Sequence, residues 1–291
     1  MSVIQIEQLS RRFGAKAALD GADLTVPRGV VFGLMGENGA GKTTLIRHVL
    51  GLYRAQEGRV RVFDQDPVAD PAAVLARIGY LAEERSLPQW MTVDQILAYT
   101  RAFYPAWDQA FALELCETFE LDRKRTLKAM SKGQNVRVAL VLAPAHRPEL
   151  LLLDEPSSGL DPVVRRDILQ AVIRTVAEEG RTVLFSSHLL DEVEQVADHV
   201  AMIDQGQVIL SEPIDRIQDE HHVFQLIFDA PPSQAPQLPG MLSCDGDGRH
   251  WTALCCRPLE ELRRATTEMG ARLVDPRVPS LEQVFFARRG A

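Results

Sequence analysis

The clearest chemistry in the sequence lies in Gly36-Glu37-Asn38-Gly39-Ala40-Gly41-Lys42-Thr43-Thr44. This stretch fits the phosphate-loop pattern G-x-x-x-x-G-K-[ST]. Glycines let the backbone curl until successive N–H groups face phosphate oxygens, and a helix opening behind them adds its N-terminal dipole. Lys42 is spaced to reach β- and γ-phosphates, and the Thr43 hydroxyl suits Mg²⁺. A second group follows at Leu150-Leu151-Leu152-Leu153-Asp154-Glu155-Pro156, where two carboxylates close an apolar run. Asp154 is suited to position Mg²⁺ through its water shell, and Glu155 to polarise an attacking water as general base. The pair of motifs predicts binding and hydrolysis of a nucleoside triphosphate.

Such groups act only if secondary structure brings them to one edge. Short apolar runs at 30–35, 150–153 and 182–185 read as buried strands, with helical patterns from Thr43, over 163–179 and over 189–196. This alternation predicts an α/β fold with a mostly parallel sheet wrapped by helices, whose ligands bind at the carboxyl ends of the strands. Residues 92–149 read as mainly helical, which predicts a helical insert at about 84–149. Pro231, Pro232, Pro236 and Pro239 mark 229–240 as loop or linker. Strand-like stretches at 223–228, 250–256 and 272–274, with helices from about 259 and from 280, predict a small α+β domain over 219–291. The nucleotide motifs then fall in a domain spanning 1–218.

Composition narrows the partners. The chain has 291 residues, 46% hydrophobic and 25% charged, and a formal net charge of −8. That balance is ordinary for a globular protein and excludes wholesale disorder. No basic run tracks a phosphate backbone, so nucleic acid is not expected as a partner. No apolar run approaches the ~18 residues of a membrane span. No signal peptide is expected, since residues 1–9 alternate like a strand. The four cysteines (Cys116, Cys244, Cys255, Cys256) lack metal-ligand spacing, and a cytoplasmic setting is expected.

Upstream of Asp154, Met130-Ser131-Lys132-Gly133-Gln134 resembles the ABC signature motif, and it stands in sequence order with the phosphate loop, the Asp154-Glu155 strand, Ser157-Ser158-Gly159-Leu160-Asp161 and His188. On that set, residues 1–218 resemble the nucleotide-binding domain of ABC transporters, a P-loop NTPase sheet with a helical subdomain. The resemblance implies ATP as substrate with Mg²⁺. Ser131 and Gly133, with Gln134 beside them, would touch the γ-phosphate of ATP held by a second nucleotide-binding domain. Asp161 would align that composite site across the interface, and His188 would contact the γ-phosphate. Phe13 would stand where the family stacks an aromatic on adenine.

The sequence also departs from the family pattern. Lys132 replaces the first glycine of the common signature. In Tyr80-Leu81-Ala82-Glu83-Glu84-Arg85 a carboxylate takes the place of the usual glutamine; Glu83 is assigned to the metal side of the site, with Glu84 as the alternative. Trp90, Tyr99, Phe103, Tyr104, Trp107 and Phe111 cluster in the helical region, where the family receives a helix of its membrane subunit; they also suit a plain helical core. The stretch Pro279-Ser280-Leu281-Glu282-Gln283-Val284-Phe285-Phe286 resembles the tail of ATPases serving ABC-2-type exporters.

The expected function is an ATP-hydrolysing subunit that closes as a dimer, a homodimer in the first instance, to drive separate membrane permease subunits from the inner face of the membrane. An importer subunit, a non-transport ABC ATPase and a nucleotide-sensing module are the alternatives. The first alternative differs in the partner genes, the second in long insertions or tandem domains, and the third in lacking turnover.

Overall fold

The computed structural model describes residues 2–84, 86–158, 173 and 180–290. The described chain divides into two compact units, up to Val208 and from Ile209 onward. This division falls inside the strand Gln207–Pro213. The helix Ile214–Glu220, whose Ile214 and Ile217 are buried, leads directly into the first strand of the second unit.

The first unit opens with an antiparallel sheet that the sequence reading did not anticipate beyond its first strand. Strands β1 (Ser2–Phe13) and β2 (Lys16–Pro27) form a hairpin, and β4 (Glu57–Val62) pairs with the other side of β1. Gly14, at φ +59°, makes the tight turn between β1 and β2. Their inward residues, Ile4, Ile6, Leu9, Leu19 and Leu24, join Leu45, Ile46 and Val49 of helix α1 (Lys42–Val49) in one core.

The second sheet is the scaffold of the site. Its strands are β3 (Val31–Met35), β5 (Ile78–Leu81), β6 (Leu150–Leu153), β7 (Thr182–Ser187), β8 (His199–Asp204) and β9 (Gln207–Pro213), in the order β5-β6-β7-β3-β8-β9. The pairings from β5 to β8 are parallel. Strands buried on both faces must be continuously apolar, and β6, four leucines with no exposure, meets that condition. Register then does the positioning. Leu81 pairs with Leu153, Leu153 with Phe185, and Met35 with Ser187, so the loops after all four strands leave the sheet at one edge.

Among the described residues, the region between β5 and β6 is helical with no named strand. It holds α3 (Val93–Arg101), α4 (Gln109–Thr118) and α5 (Lys132–Leu142). Each has a side-chain cap: Thr92, Asp108 and Ser131 accept from a backbone N–H of the first turn. Asp108 also pairs with Arg147 at 2.9 Å. Its carboxyl is held below the usual range, first by the Phe111 N–H and then by Arg147.

The second unit is a four-stranded antiparallel sheet, β11-β12-β10-β13, of Met241–Asp247, His250–Cys256, His221–Phe228 and Ala271–Arg277. Phe224, Leu226, Ala253 and Cys255 pack with Leu262 of the helix Leu259–Glu268. The proline-rich stretch 229–240 carries no strand or helix and links β10 to β11 within this unit. The strand β11 was not foreseen, because its residues lack apolar alternation.

Candidate functional site

The phosphate loop runs from β3 into α1, as its sequence predicts, and the glycines are there for space. A side chain on Gly36 would stand 2.4 Å from the Ile203 carbonyl, and one on Gly41 2.6 Å from that of Ala18. Gly41 caps α1 at φ +119° and Gly39 lies at φ +83°, conformations that L side chains rarely adopt. The first turn of α1 contains no acidic residue of its own, which leaves its N-terminal dipole favourable to an anion.

A cavity of about 490 Å³ opens over this loop. Asn38, Gly39, Gly41, Lys42, Thr43 and Thr44 line it, together with Phe13, Glu83 and Glu155. Three segments far apart in sequence therefore meet the phosphate loop at one place. Phe13 ends β1 with its ring 44% exposed and set edge-on to Tyr53 at 5.7 Å. The Arg11 guanidinium lies 4.9 Å from the Phe13 ring centre and 4.8 Å from that of Tyr53. Of the other loop residues, Ala40 is packed in the core, Glu37 gives its carbonyl to Lys42, and Gly36 is buried.

Charge is concentrated behind the loop. Lys42 Nζ donates to the Gly36 carbonyl at 2.7 Å and lies 3.0 Å from Glu155 Oε1, with side chains 5% and 4% exposed. Glu155 Oε2 is 2.8 Å from His188 Nδ1. The Glu155 backbone is left-handed, at φ +47°, which turns its side chain toward Lys42 and His188. Asp154 is fully buried, and its Oδ1 accepts from Thr43 Oγ1 at 3.3 Å and from Ser186 Oγ at 2.7 Å. Burial pushes its carboxyl above the usual range against the pull of both hydroxyls. Desolvation, then the charge of Asp154, raises the neighbouring Tyr80 phenol to about 12.

Asp154 Oδ2 is buried without a hydrogen-bond partner, beside the hydroxyl that bonds its other oxygen. A carboxylate oxygen and a hydroxyl match what Mg²⁺ takes from protein when water and phosphate complete its shell. These residues fit the ion. Glu83 is exposed on the cavity wall, just after β5, while Glu84 does not line the cavity.

The signature residues stand apart from this cavity. Ser131 and Gln134 form a reciprocal capping box: Ser131 Oγ accepts from Gln134 N at 3.2 Å, and Gln134 Oε1 from Ser131 N at 3.0 Å. Gly133 is half-buried in the first turn of α5, and Ser131 and Lys132 are exposed. Asp161 and the helical pattern over 163–179 lie outside the described residues, Ile173 excepted.

Two contributors escaped the sequence reading. Ser186 bonds both acidic residues, and Lys16 lines the cavity. A polar residue closing the apolar run before His188 was the available signal for Ser186; Lys16 left none. The aromatic cluster divides in two. Trp90, Tyr99 and Phe103 are exposed, whereas Phe111 is buried, Tyr104 stacks on buried His146 at 3.9 Å, and Trp107 bonds Gln109.

Comparisons with known proteins agree with this geometry. The ABC transporter family profile matches residues 19–158. The ABC transporter ATP-binding protein YtrB of Bacillus subtilis (strain 168) is 29% identical, over 99% of this chain and 98% of its own. The daunorubicin resistance ATP-binding protein DrrA3 of Streptomyces coeruleorubidus is 34% identical, over 99% of this chain and 96% of its own. A solved ATP-binding subunit of an ABC transporter superposes with a TM-score of 0.68 at 26% identity, covering 75% of this chain and 92% of that one. The chain belongs to the family of ABC transporter ATP-binding proteins.

Proposed function

We propose that this chain hydrolyses ATP as the motor subunit of an ABC-2-type exporter. The observation that carries the reading is the convergence of Lys42, Thr43, Asp154, Glu155 and His188 at one edge of the parallel sheet. Similarity to DrrA3 over nearly the whole of both chains supports export, since it extends through the second unit.

In this reading the phosphate loop and Lys42 hold the β- and γ-phosphates, and Phe13 offers its ring face to adenine. Thr43 would hold Mg²⁺, with Asp154 and Glu83 acting on its water shell; the ion supplies neutralisation of developing phosphate charge. Glu155 accepts a proton from the attacking water, and His188, bonded to its other oxygen, keeps the carboxylate aimed and meets the γ-phosphate. The first turn of α5, with Ser131 exposed and Gly133 and Gln134 half-buried, suits a nucleotide bound to a second copy, with Asp161 aligning the two. Among the described residues no helix is long and apolar enough to cross a membrane. Exposed Trp90, Tyr99 and Phe103 instead support docking onto separate permease subunits, which would hold the chain at the inner membrane face.

The deciding experiment measures Mg-ATP binding and hydrolysis by the purified chain and by Lys42→Ala. The parent should turn over ATP, and Lys42→Ala should lose most of its affinity, because a charge-assisted phosphate contact disappears. Unchanged calorimetric affinity in Lys42→Ala would remove the phosphate-loop assignment. Recovery of a membrane subunit with the tagged chain from its native host tests the transport role, and an associated solute-binding protein would turn the direction to import.

A further inference from the structure

We infer that Ser186 is a positioning residue for hydrolysis, holding both acidic groups of the site through one hydroxyl; this rests on the roles of Asp154 and Glu155 given above. Ser186 is fully buried at the end of β7. Its Oγ accepts from the Glu155 backbone N–H at 2.9 Å and lies 2.7 Å from Asp154 Oδ1. A backbone N–H only donates, and a hydroxyl has a single proton, so the single proton of Ser186 points to Asp154. The hydroxyl thus fixes the backbone of one acidic residue and the side chain of the other.

Both residues depend on that hold. Glu155 sits in the left-handed region at φ +47°, which a glutamate adopts only when its surroundings enforce it. That backbone turn delivers its carboxylate to Lys42 and His188, at 3.0 and 2.8 Å. Asp154 receives two hydroxyls, from Ser186 and Thr43, on the same oxygen. Its second oxygen remains buried and without a hydrogen-bond partner, which is the acceptor a cation's water shell requires.

A purely structural role would not call for serine here. The rest of β7 shows that this strand is fully buried and accepts Val183, Leu184 and Phe185. A hydroxyl in such a strand costs desolvation unless both of its bonds are made, and both are made to the acidic pair. The adjacent Ser187 does different work, accepting from the Leu189 N–H at 3.0 Å in the loop beyond His188.

The test compares the parent, Ser186→Ala and Ser186→Thr, with Glu155→Gln measured alongside. Folding is followed by circular dichroism, ATP affinity by calorimetry in EDTA, and Mn²⁺ binding to the ATP-loaded chain by the electron paramagnetic resonance of free Mn²⁺. Ser186→Ala should stay folded and keep its metal-free ATP affinity within about twofold, since the phosphate loop is untouched. Its Mn²⁺ affinity and kcat should each fall roughly 10–100-fold, the usual cost of losing a residue that orients a metal-site carboxylate, with little change in KM. Ser186→Thr, which keeps the hydroxyl, should recover a large part of both. Parent-like Mn²⁺ affinity and kcat in Ser186→Ala would overturn the inference. So would an equal loss of metal-free ATP affinity, or failure of a folded Ser186→Thr to recover either property. A Glu155→Gln chain as active as the parent would instead defeat the role given to Glu155, and the Mn²⁺ measurement separates the two failures.

Discussion

Lys42 and Glu155, from two distant segments of the chain, form an almost fully buried ion pair with Nζ 3.0 Å from Oε1. The cation of the phosphate loop is therefore paired with the carboxylate proposed as general base. His188 approaches the other carboxylate oxygen, so Glu155 is held from both sides. Under the proposed function, a triphosphate entering the loop would compete with Glu155 for Lys42 and release the carboxylate toward water, which would couple binding to activation through one side chain.

Glu155→Gln tests this coupling directly. Turnover should fall roughly 10²–10⁴-fold, the usual contribution of a general base. ATP affinity should hold or rise, because Lys42 no longer has an internal counter-ion. Without nucleotide the variant should melt lower, since removing one partner of a buried pair costs about 3–5 kcal/mol, and Mg-ATP should restore much of the loss. Calorimetry showing weaker binding would contradict the competition.

The divided aromatic cluster makes two substitutions of the same kind behave oppositely. Trp90 is 73% exposed and Phe111 only 4%. Trp90→Ala should change stability by no more than about 0.5 kcal/mol while reducing coupling of ATP hydrolysis to the membrane subunits. Phe111→Ala should cost about 3–5 kcal/mol through loss of core packing. The Arg147 guanidinium 3.7 Å from the Phe111 ring centre adds to that loss. Urea unfolding and ATPase assays with reconstituted permease subunits distinguish them, and an unfolded Trp90→Ala would place that residue in the core.

Ser131 and Lys132 are exposed at the start of α5, and the role proposed for the signature requires a second chain. In the Glu155→Gln background, Mg-ATP should shift the protein from monomer to dimer in light scattering. Adding Gly133→Asp should prevent the shift, because a carboxylate would meet the γ-phosphate of the partner's nucleotide. Aspartate in the first turn is favourable to a helix, so α5 itself should survive the change. Full dimerisation of the double variant would show that Gly133 does not face a shared phosphate. A Glu155→Gln chain that stays monomeric at high concentration would point to a different partner subunit.

His146 should make stability depend on pH. It is buried against Tyr104, bonds the Ile78 carbonyl through Nε2, and leaves Nδ1 buried without a partner. Burial lowers its pKa from the ordinary 6.5 to about 4, an effect to which the charge of Arg181 adds. The unfolded chain therefore binds a proton that the folded chain refuses, and stability falls as pH drops from about 6.5 toward 4. The full effect is of the order of 3 kcal/mol. Urea midpoints at pH 7 and pH 5 should show a smaller loss in His146→Phe than in the parent; equal losses would clear His146 of the effect.

The phosphate loop, the Asp154-Glu155 pair and the buried strands β3, β6 and β7 were legible in the sequence, because each is written in consecutive residues. Gly36, Gly41 and Lys42 announce a loop through composition, and Leu150 to Leu153 announce a strand buried on both faces through unbroken apolarity. The strands and helices from β10 onward were readable for the same reason, except for β11, whose polar residues carry no period. Relations across the sheet were not legible. That Lys42 meets Glu155, that Ser186 bonds both acidic residues, and that Phe13, Lys16 and Glu83 line one cavity depend on strand register, and register joins residues that no spacing rule connects. The aromatic cluster shows the same limit, since composition made Trp90 and Phe111 equivalent. Only the packing of α4, with Phe111 and Leu115 turned inward, left one in the core and the other in solvent. Local chemistry is a property of adjacent residues, whereas a site and its burial belong to the packed chain, where nonlocal contacts decide which polar groups leave water.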